Sequence, residues 1–191
     1  PPSLSQLART YGIPHTYDDY NKMFKRDDLD LIHICLPNFL HKKVAIAALE
    51  AGKHVVCEKP LATTMEDAMA VVDAVRKSGK KFFYAEDWLS APAILRAKEI
   101  IDQGGIGQPL YIKAKETHHG SHSQFAQKKE YCGGGSMIHL AVHPMAFARW
   151  LFKCEAVEVT GMTNGGGDKN FVHKNYGGED WAAALLTYEG G

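Results

Sequence analysis

An acid, an amine and an imino acid stand together at Glu58-Lys59-Pro60, directly after the apolar run His54-Val55-Val56-Cys57. A lysine at the tip of a buried strand can give or take a proton if it is partly desolvated or faces another cation, because both lower its pKa. Glu58 can hold that amine in place, and Pro60 fixes the direction of the backbone. A second pair, His139 and His143, is spaced four apart and therefore shares a helix face. His143 suits a general base for a hydroxyl proton. The helix opens after Gly133-Gly134-Gly135, where a backbone without side chains admits a ligand closely. Each group also has a plain structural reading. Glu58 and Lys59 could be an exposed turn, and the histidines could be helix residues satisfied by their neighbours.

A third group is the stretch CLPNFLH, residues 35–41. In an open parallel sheet, ligands bind beyond the carboxyl ends of the strands. Leu36, Pro37 and Asn38 would lie at such an end, with His41 in the first turn of a helix whose amides can face an anion. Four of the ten histidines fall between 118 and 139, three of them in HHGSHSQF. His118, His119 and His122 precede the glycine-rich helix start, which suits contact with a substrate. Together with Cys132, His139 and His143 they could instead ligate a metal and make a His-rich metal-dependent lyase or hydrolase. Against this, Leu140 stands where the zincin motif needs glutamate, and no CxxC or carboxylate cluster completes a site. No metal is expected. Trp88 and Trp150 read as core or interface anchors.

The elements needed to hold these groups follow from periodicity and punctuation. LSQLARTYG is helical and stops at Gly12; YDDYNKMFKRDD offers Asp18 as its N-cap. LDLIHICLP is a short apolar strand. Asn38 can cap the helix FLHKKVAIAALEAG, KHVVCE is the next strand, Thr63 or Thr64 caps MEDAMAVVDAVRKSG, and KKFFYAE is a further strand. Near-continuous apolar strands alternating with helices predict a parallel sheet covered on both faces. After residue 88 the pattern changes. APAILRAKEIIDQGGIG is a helix, QPLYIKAKETHH alternates like a half-exposed antiparallel strand, SMIHLAVHPMAFARWLF is helical, and EAVEVTGMT and DWAAALLTYEGG read as strands. The fold class is α/β: a partial Rossmann-type parallel domain, residues 1–88, followed by an α+β domain with a mostly antiparallel sheet, residues 89–191. Both ends look unfinished, so the chain reads as a piece of a longer protein.

Composition narrows the function. The 191 residues carry 22 Lys plus Arg against 22 Asp plus Glu, which gives no electrostatic footprint for nucleic acid. No apolar run spans a bilayer and the first residues do not form a signal peptide. The four cysteines have no CxxC spacing and read as free thiols of a reducing, cytoplasmic setting.

The stretch LDLIHICLPNFLHKKVAIAALEAGKHVVCEKPLATTMEDA resembles the glucose–fructose oxidoreductase / inositol dehydrogenase / MocA family, which reads P-N-x-x-H, then A-L-x-A-G-K-H-V-x-C-E-K-P-L-A. The likeness continues through YAEDWLSAPAILRAKEIIDQGGIGQPLYI and GGGSMIHLAVHPMAFARWLF, from about residue 7 to 191. It implies NAD- or NADP-dependent hydride transfer to or from a secondary alcohol or ketone of a sugar, cyclitol or related polyol. It implies Lys59 near nicotinamide and the reacting carbon, His143 moving the proton, and His139 beside it. It implies Leu36, Pro37, Asn38, His41, Glu58, Lys59, Pro60 and Glu86 on the cofactor side. It further implies a homo-oligomer formed through the C-terminal sheet. Two departures stand out: His139 replaces a common aspartate, and Ala141 a frequent glycine. The family's G-x-G-x-x-G turn should precede this sequence. A non-catalytic relative that uses the fold to bind a ligand or partner is the alternative.

Overall fold

The computed structural model describes residues 3–121 and 123–190. Its first half is a parallel sheet of β1 (Leu31–Ile34), β2 (His54–Glu58) and β3 (Phe82–Ala85) in the order β1-β2-β3. Ile34 pairs with Cys57, which pairs with Tyr84. The helices α1 (Leu4–Tyr11) and α2 (Tyr20–Phe24) come before the sheet, while α3 (His41–Glu50) and α4 (Met65–Ser78) are the crossovers. Ile32 and Ile34 of β1, and Val55 and Cys57 of β2, turn one face into a core shared with Val44, Ala45, Ala48 and Leu49 of α3 and Val71 of α4. Ala45 and Ala48 are wholly buried, and their size lets α3 lie close on the strands.

The expected cover on both faces is found on one only. The strands advance in a single direction, so right-handed crossovers deliver α3 and α4 to the same side. The other face shows Leu31 and Phe83 more than half exposed among the described residues. The caps also differ in detail. Asp19, not Asp18, caps α2, accepting from the Asn21 amide at 2.8 Å. Thr64 caps α4 and Gly79, at φ 64°, ends it. Asn38 caps nothing: residues Asn38–Leu40 form a 3-10 turn, and the Asn38 side chain donates to the Cys132 carbonyl at 3.0 Å.

The second half contains α5 (Pro92–Asp102), α6 (Lys129–Cys132), α7 (Val142–Phe152) and a ribbon of β4 (Ala156–Thr163) and β5 (Ala182–Tyr188). The ribbon is antiparallel, with an irregularity between Ala156 and Glu158. Residues 108–119 do not form the expected strand. A strand needs a ladder partner for its amides and carbonyls, and none pairs here among the described residues, leaving Leu110 and Tyr111 largely exposed. The helix expected over 136–152 starts as a π-helical turn, Met137–Ala141, before α7. Pro144 lacks an N–H and cannot close an α-type bond to the Leu140 carbonyl, and the wider turn sits immediately before it.

Candidate active site

Lys59 leaves the carboxyl end of β2, next to Glu58. Successive side chains of a strand point to opposite faces, so the two part company. Glu58 turns to β1, with its carboxylate 3.7 Å from His33 Nε2 and close to Cys35. The Lys59 amine instead crosses to the second half and donates to the His139 carbonyl at 2.6 Å. The expectation that Glu58 holds the amine is therefore corrected: a helix carbonyl holds it. That carbonyl lies in the π-helical turn, where an i+5 partner would be Pro144, which has no hydrogen to give.

His41 is also reassigned. Its ring is wholly buried, with Nδ1 2.7 Å from the Pro60 carbonyl and Nε2 2.8 Å from the Leu36 carbonyl. Both polar atoms are spent on backbone, leaving none for a cofactor. His41 instead ties the Lys59-Pro60 strand end to the turn at Leu36–Asn38.

His143 is 4% exposed and faces Glu86, itself 4% exposed, through an Nδ1···Oε1 distance of 2.6 Å. A carboxylate only accepts, so Nδ1 carries a hydrogen and Nε2 is the ring nitrogen left for another partner. The same Glu86 oxygen accepts from the Trp88 amide at 3.1 Å, which fixes the carboxylate at the end of β3. The Trp88 ring stacks on His143 at 5.6 Å and 14°, and Asp87 approaches Nδ1 at 3.3 Å from the exposed side. The sequence puts Glu86 on the cofactor side and Trp88 in a core or interface; in the structure both form the seat of His143. The signal was present, since an acid and an aromatic follow directly on the strand FFYA, but no spacing rule links residue 86 to residue 143.

A cavity of about 390 Å³ lies between the two halves. Leu36, Pro37 and Asn38 make one wall and Ser121, Ser123 and Phe125 the other, with His139 also lining it. Lys59 and His143 adjoin the lining residue His139, Lys59 through its bond to the His139 carbonyl and His143 one turn further along the helix. His139 Nε2 is buried without a partner among the described residues. Burial, and then the Lys59 amine, hold the His139 pKa below its ordinary value, while Glu179 pulls the other way. His118 and His119 are exposed and lie off the wall. The His118 ring accepts from the Gly120 amide at 2.9 Å, and Ser121 and Ser123 take the expected place. His122 lies outside the described residues.

The three glycines before the helix are crowded by protein rather than left open for a ligand. A Cβ on Gly135 would come within 2.0 Å of the Glu179 carbonyl oxygen, and one on Gly133 within 2.8 Å of Thr63. Two clusters of potential metal donors occur among the described residues, His33-Cys35-Glu58 and Glu86-Asp87-His143. Neither uses the histidines at 118–122, and the Cys132 thiol is turned to the Gly134 and Lys128 carbonyls.

Comparison with known proteins gives a consistent likeness. Residues 1–86 match a family model described as GFO_IDH_MocA, oxidoreductase family, NAD-binding Rossmann fold, and residues 94–191 match one described as the GFO/IDH/MocA C-terminal domain. Levoglucosan dehydrogenase of Pseudarthrobacter phenanthrenivorans is 33% identical over 156 residues, 79% of this chain and 40% of that protein. Inositol 2-dehydrogenase of Salmonella typhimurium is 34% identical over 140 residues, 71% of this chain and 39% of that one. A solved levoglucosan dehydrogenase, in complex with NADH and levoglucosan, superposes with a TM-score of 0.81 at 29% identity, over 97% of this chain and 51% of that one. An aldose-aldose oxidoreductase from Caulobacter crescentus complexed with glycerol gives 0.80 at 26% identity, over 97% and 56%. The chain spans about half the length of the relatives it matches.

Proposed function

The chain belongs to the GFO/IDH/MocA oxidoreductase family, and from that premise we propose that the protein serves NAD(P)-dependent hydride transfer between nicotinamide and a secondary alcohol or ketone of a sugar, cyclitol or polyol. The observation that carries this reading is the bond from the Lys59 amine to the His139 carbonyl, which brings the strand-end lysine of the parallel sheet to the histidine helix of the second half. We infer that the border between the two halves lies near residue 88.

The residues fit a dinucleotide at the carboxyl ends of β1 and β2, where Leu36, Pro37 and Asn38 edge the cavity and the unpartnered His139 Nε2 lies close by. Bound nicotinamide would supply the hydride acceptor or donor. Lys59 has two N–H directions left after its bond to His139, and one of them polarises the substrate oxygen. His143 Nε2 takes the hydroxyl proton as the carbinol is oxidised and returns it in reduction. Glu86, on Nδ1, fixes the tautomer and stabilises the imidazolium that forms. His139 Nε2 receives or gives a hydrogen bond to a second hydroxyl, with Ser121 and Ser123 opposite. The pyrophosphate anchor that a G-x-G-x-x-G turn supplies is not in this sequence.

No helix among the described residues is long and apolar enough to cross a membrane. The four cysteines are free, which supports a reducing, cytoplasmic setting. Exposed Val157 and Val159 of β4 support pairing with a second copy of the chain.

The test is a screen of cyclitols and aldoses against NAD and NADP with the natural full-length protein, read as absorbance of the reduced cofactor. Turnover on a neutral polyol is expected. Lys59→Ala should reduce kcat about 10²–10⁴-fold while leaving cofactor affinity unchanged. Undiminished turnover in that variant would remove Lys59 from the reaction.

A further inference from the structure

The helix that carries His139 and His143 has no cap of its own. Ser136 precedes the π-helical turn with no side-chain cap bond, and its hydroxyl is buried without a partner among the described residues. The first amides of a helix have no intrahelical acceptor, so something else must take them. Glu179 takes two: its carbonyl oxygen accepts from the Ser136 amide at 2.7 Å and its Oε1 from the Met137 amide at 2.9 Å.

We propose that Glu179 is a positioning residue for His139 and His143, fixing the start of their helix from the loop between β4 and β5. The proposal rests on the reading of the site given above. It explains the glycine at 135: a side chain there would meet the Glu179 backbone, and one at Gly178 would come within 2.4 Å of the Gly134 carbonyl oxygen. Small residues on both sides let the loop lie directly on the helix start.

The loop is built to hold Glu179 still. Asn170 is wholly buried and donates to the carbonyls of His173 at 2.9 Å, Tyr176 at 3.2 Å and Gly178 at 2.9 Å. It also accepts from the Asp180 amide at 3.1 Å. Both neighbours of Glu179 are thus pinned to one side chain. The Asp180 carboxylate in turn accepts from the amides of Phe171 at 3.0 Å, Val172 at 2.7 Å and His173 at 2.9 Å. The same loop braces the cavity wall, since the Tyr176 hydroxyl donates to the Ser121 carbonyl at 2.9 Å.

Glu179 also acts on the His139 ring through charge. The charged groups that act on that ring are Lys59 from the end of β2, His118 from the preceding loop and Glu179 itself. Lys59 and His118 favour the neutral imidazole; Glu179 opposes them, so it partly restores the ring's proton affinity.

Two variants separate position from charge. Glu179→Ala removes the side-chain acceptor, and amide exchange at Met137 should accelerate about tenfold while β1–β3 stay protected. Glu179→Gln keeps an oxygen for that amide but loses the charge, and His139 should titrate at lower pH by imidazole NMR. Unchanged exchange at Met137 overturns the proposal, and an unchanged titration removes the charge effect; if Glu179→Ala does not fold, exchange at Met137 in Glu179→Asp, whose shorter side chain falls short of that amide, decides in its place. Both readings use no substrate. If they come out as expected while the natural protein turns over no polyol, the positioning role stands and the functional reading falls.

Discussion

At the scale of single residues, the site consists of groups whose partners set their chemistry. Nδ1 of His143 is committed to Glu86, so its basicity is directed through Nε2. His143→Asn and Glu86→Gln should each reduce kcat about 10²–10⁴-fold. The glutamine variant should also change the pH–rate profile, because it holds the ring without stabilising its cation. His139 is a different case. Its folded pKa lies below the ordinary 6.5, because burial and then Lys59 disfavour the charged ring. The unfolded chain therefore binds more protons in the window between the lowered pKa and 6.5, and stability rises with pH there. The contribution is complete above about 6.5 and is lost as pH falls through the folded value. Denaturant midpoints measured from pH 8 downward should show this loss, and His139→Gln should flatten it. A midpoint equally pH-dependent in both proteins would deny the ring that role.

At the scale of elements, the decisive contacts join ends of strands and helices. His41 holds two strand ends through two backbone carbonyls, at 2.7 and 2.8 Å. Replacing it with leucine keeps most of the volume but leaves the carbonyl that accepts from the ring N–H without its donor. Such a loss costs about 1–3 kcal/mol per group, which should appear as a lower urea midpoint with an unchanged slope. An unchanged midpoint would show that the two loops hold themselves. Much at this scale was legible in the sequence: the three parallel strands, α3 and α4 with their glycine stops, and the ribbon of β4 and β5. The strand expected over 108–119 was not. Alternation fits a strand, but only a neighbour supplies the ladder. The π-helical turn before Pro144 was likewise hidden, because residue spacing alone does not say how a helix accommodates a missing amide.

At the scale of the whole molecule, the buried apolar core belongs chiefly to the first half, where α3 and α4 cover the sheet. The second half buries Cys132, Ala148 and Leu151 but leaves β4 exposed along its length. Local opening follows burial, so hydrogen exchange should be slowest in β1–β3, α3 and α4, and fast over 156–163. Equal protection of both regions in this chain would contradict that distribution. The sequence by itself determined the strand-end lysine, the histidine helix, the alternating first half and the family likeness, because these depend on local order and periodicity. The tertiary structure decided the partners: His139 rather than Glu58 for Lys59, Glu86 for His143, backbone carbonyls for His41 and Glu179 for the helix start. These pairs lie 19 to 80 residues apart or, for His41 and Leu36, across a turn. No local propensity encodes such distances; they are fixed only when strand ends, helix starts and loops are packed against one another.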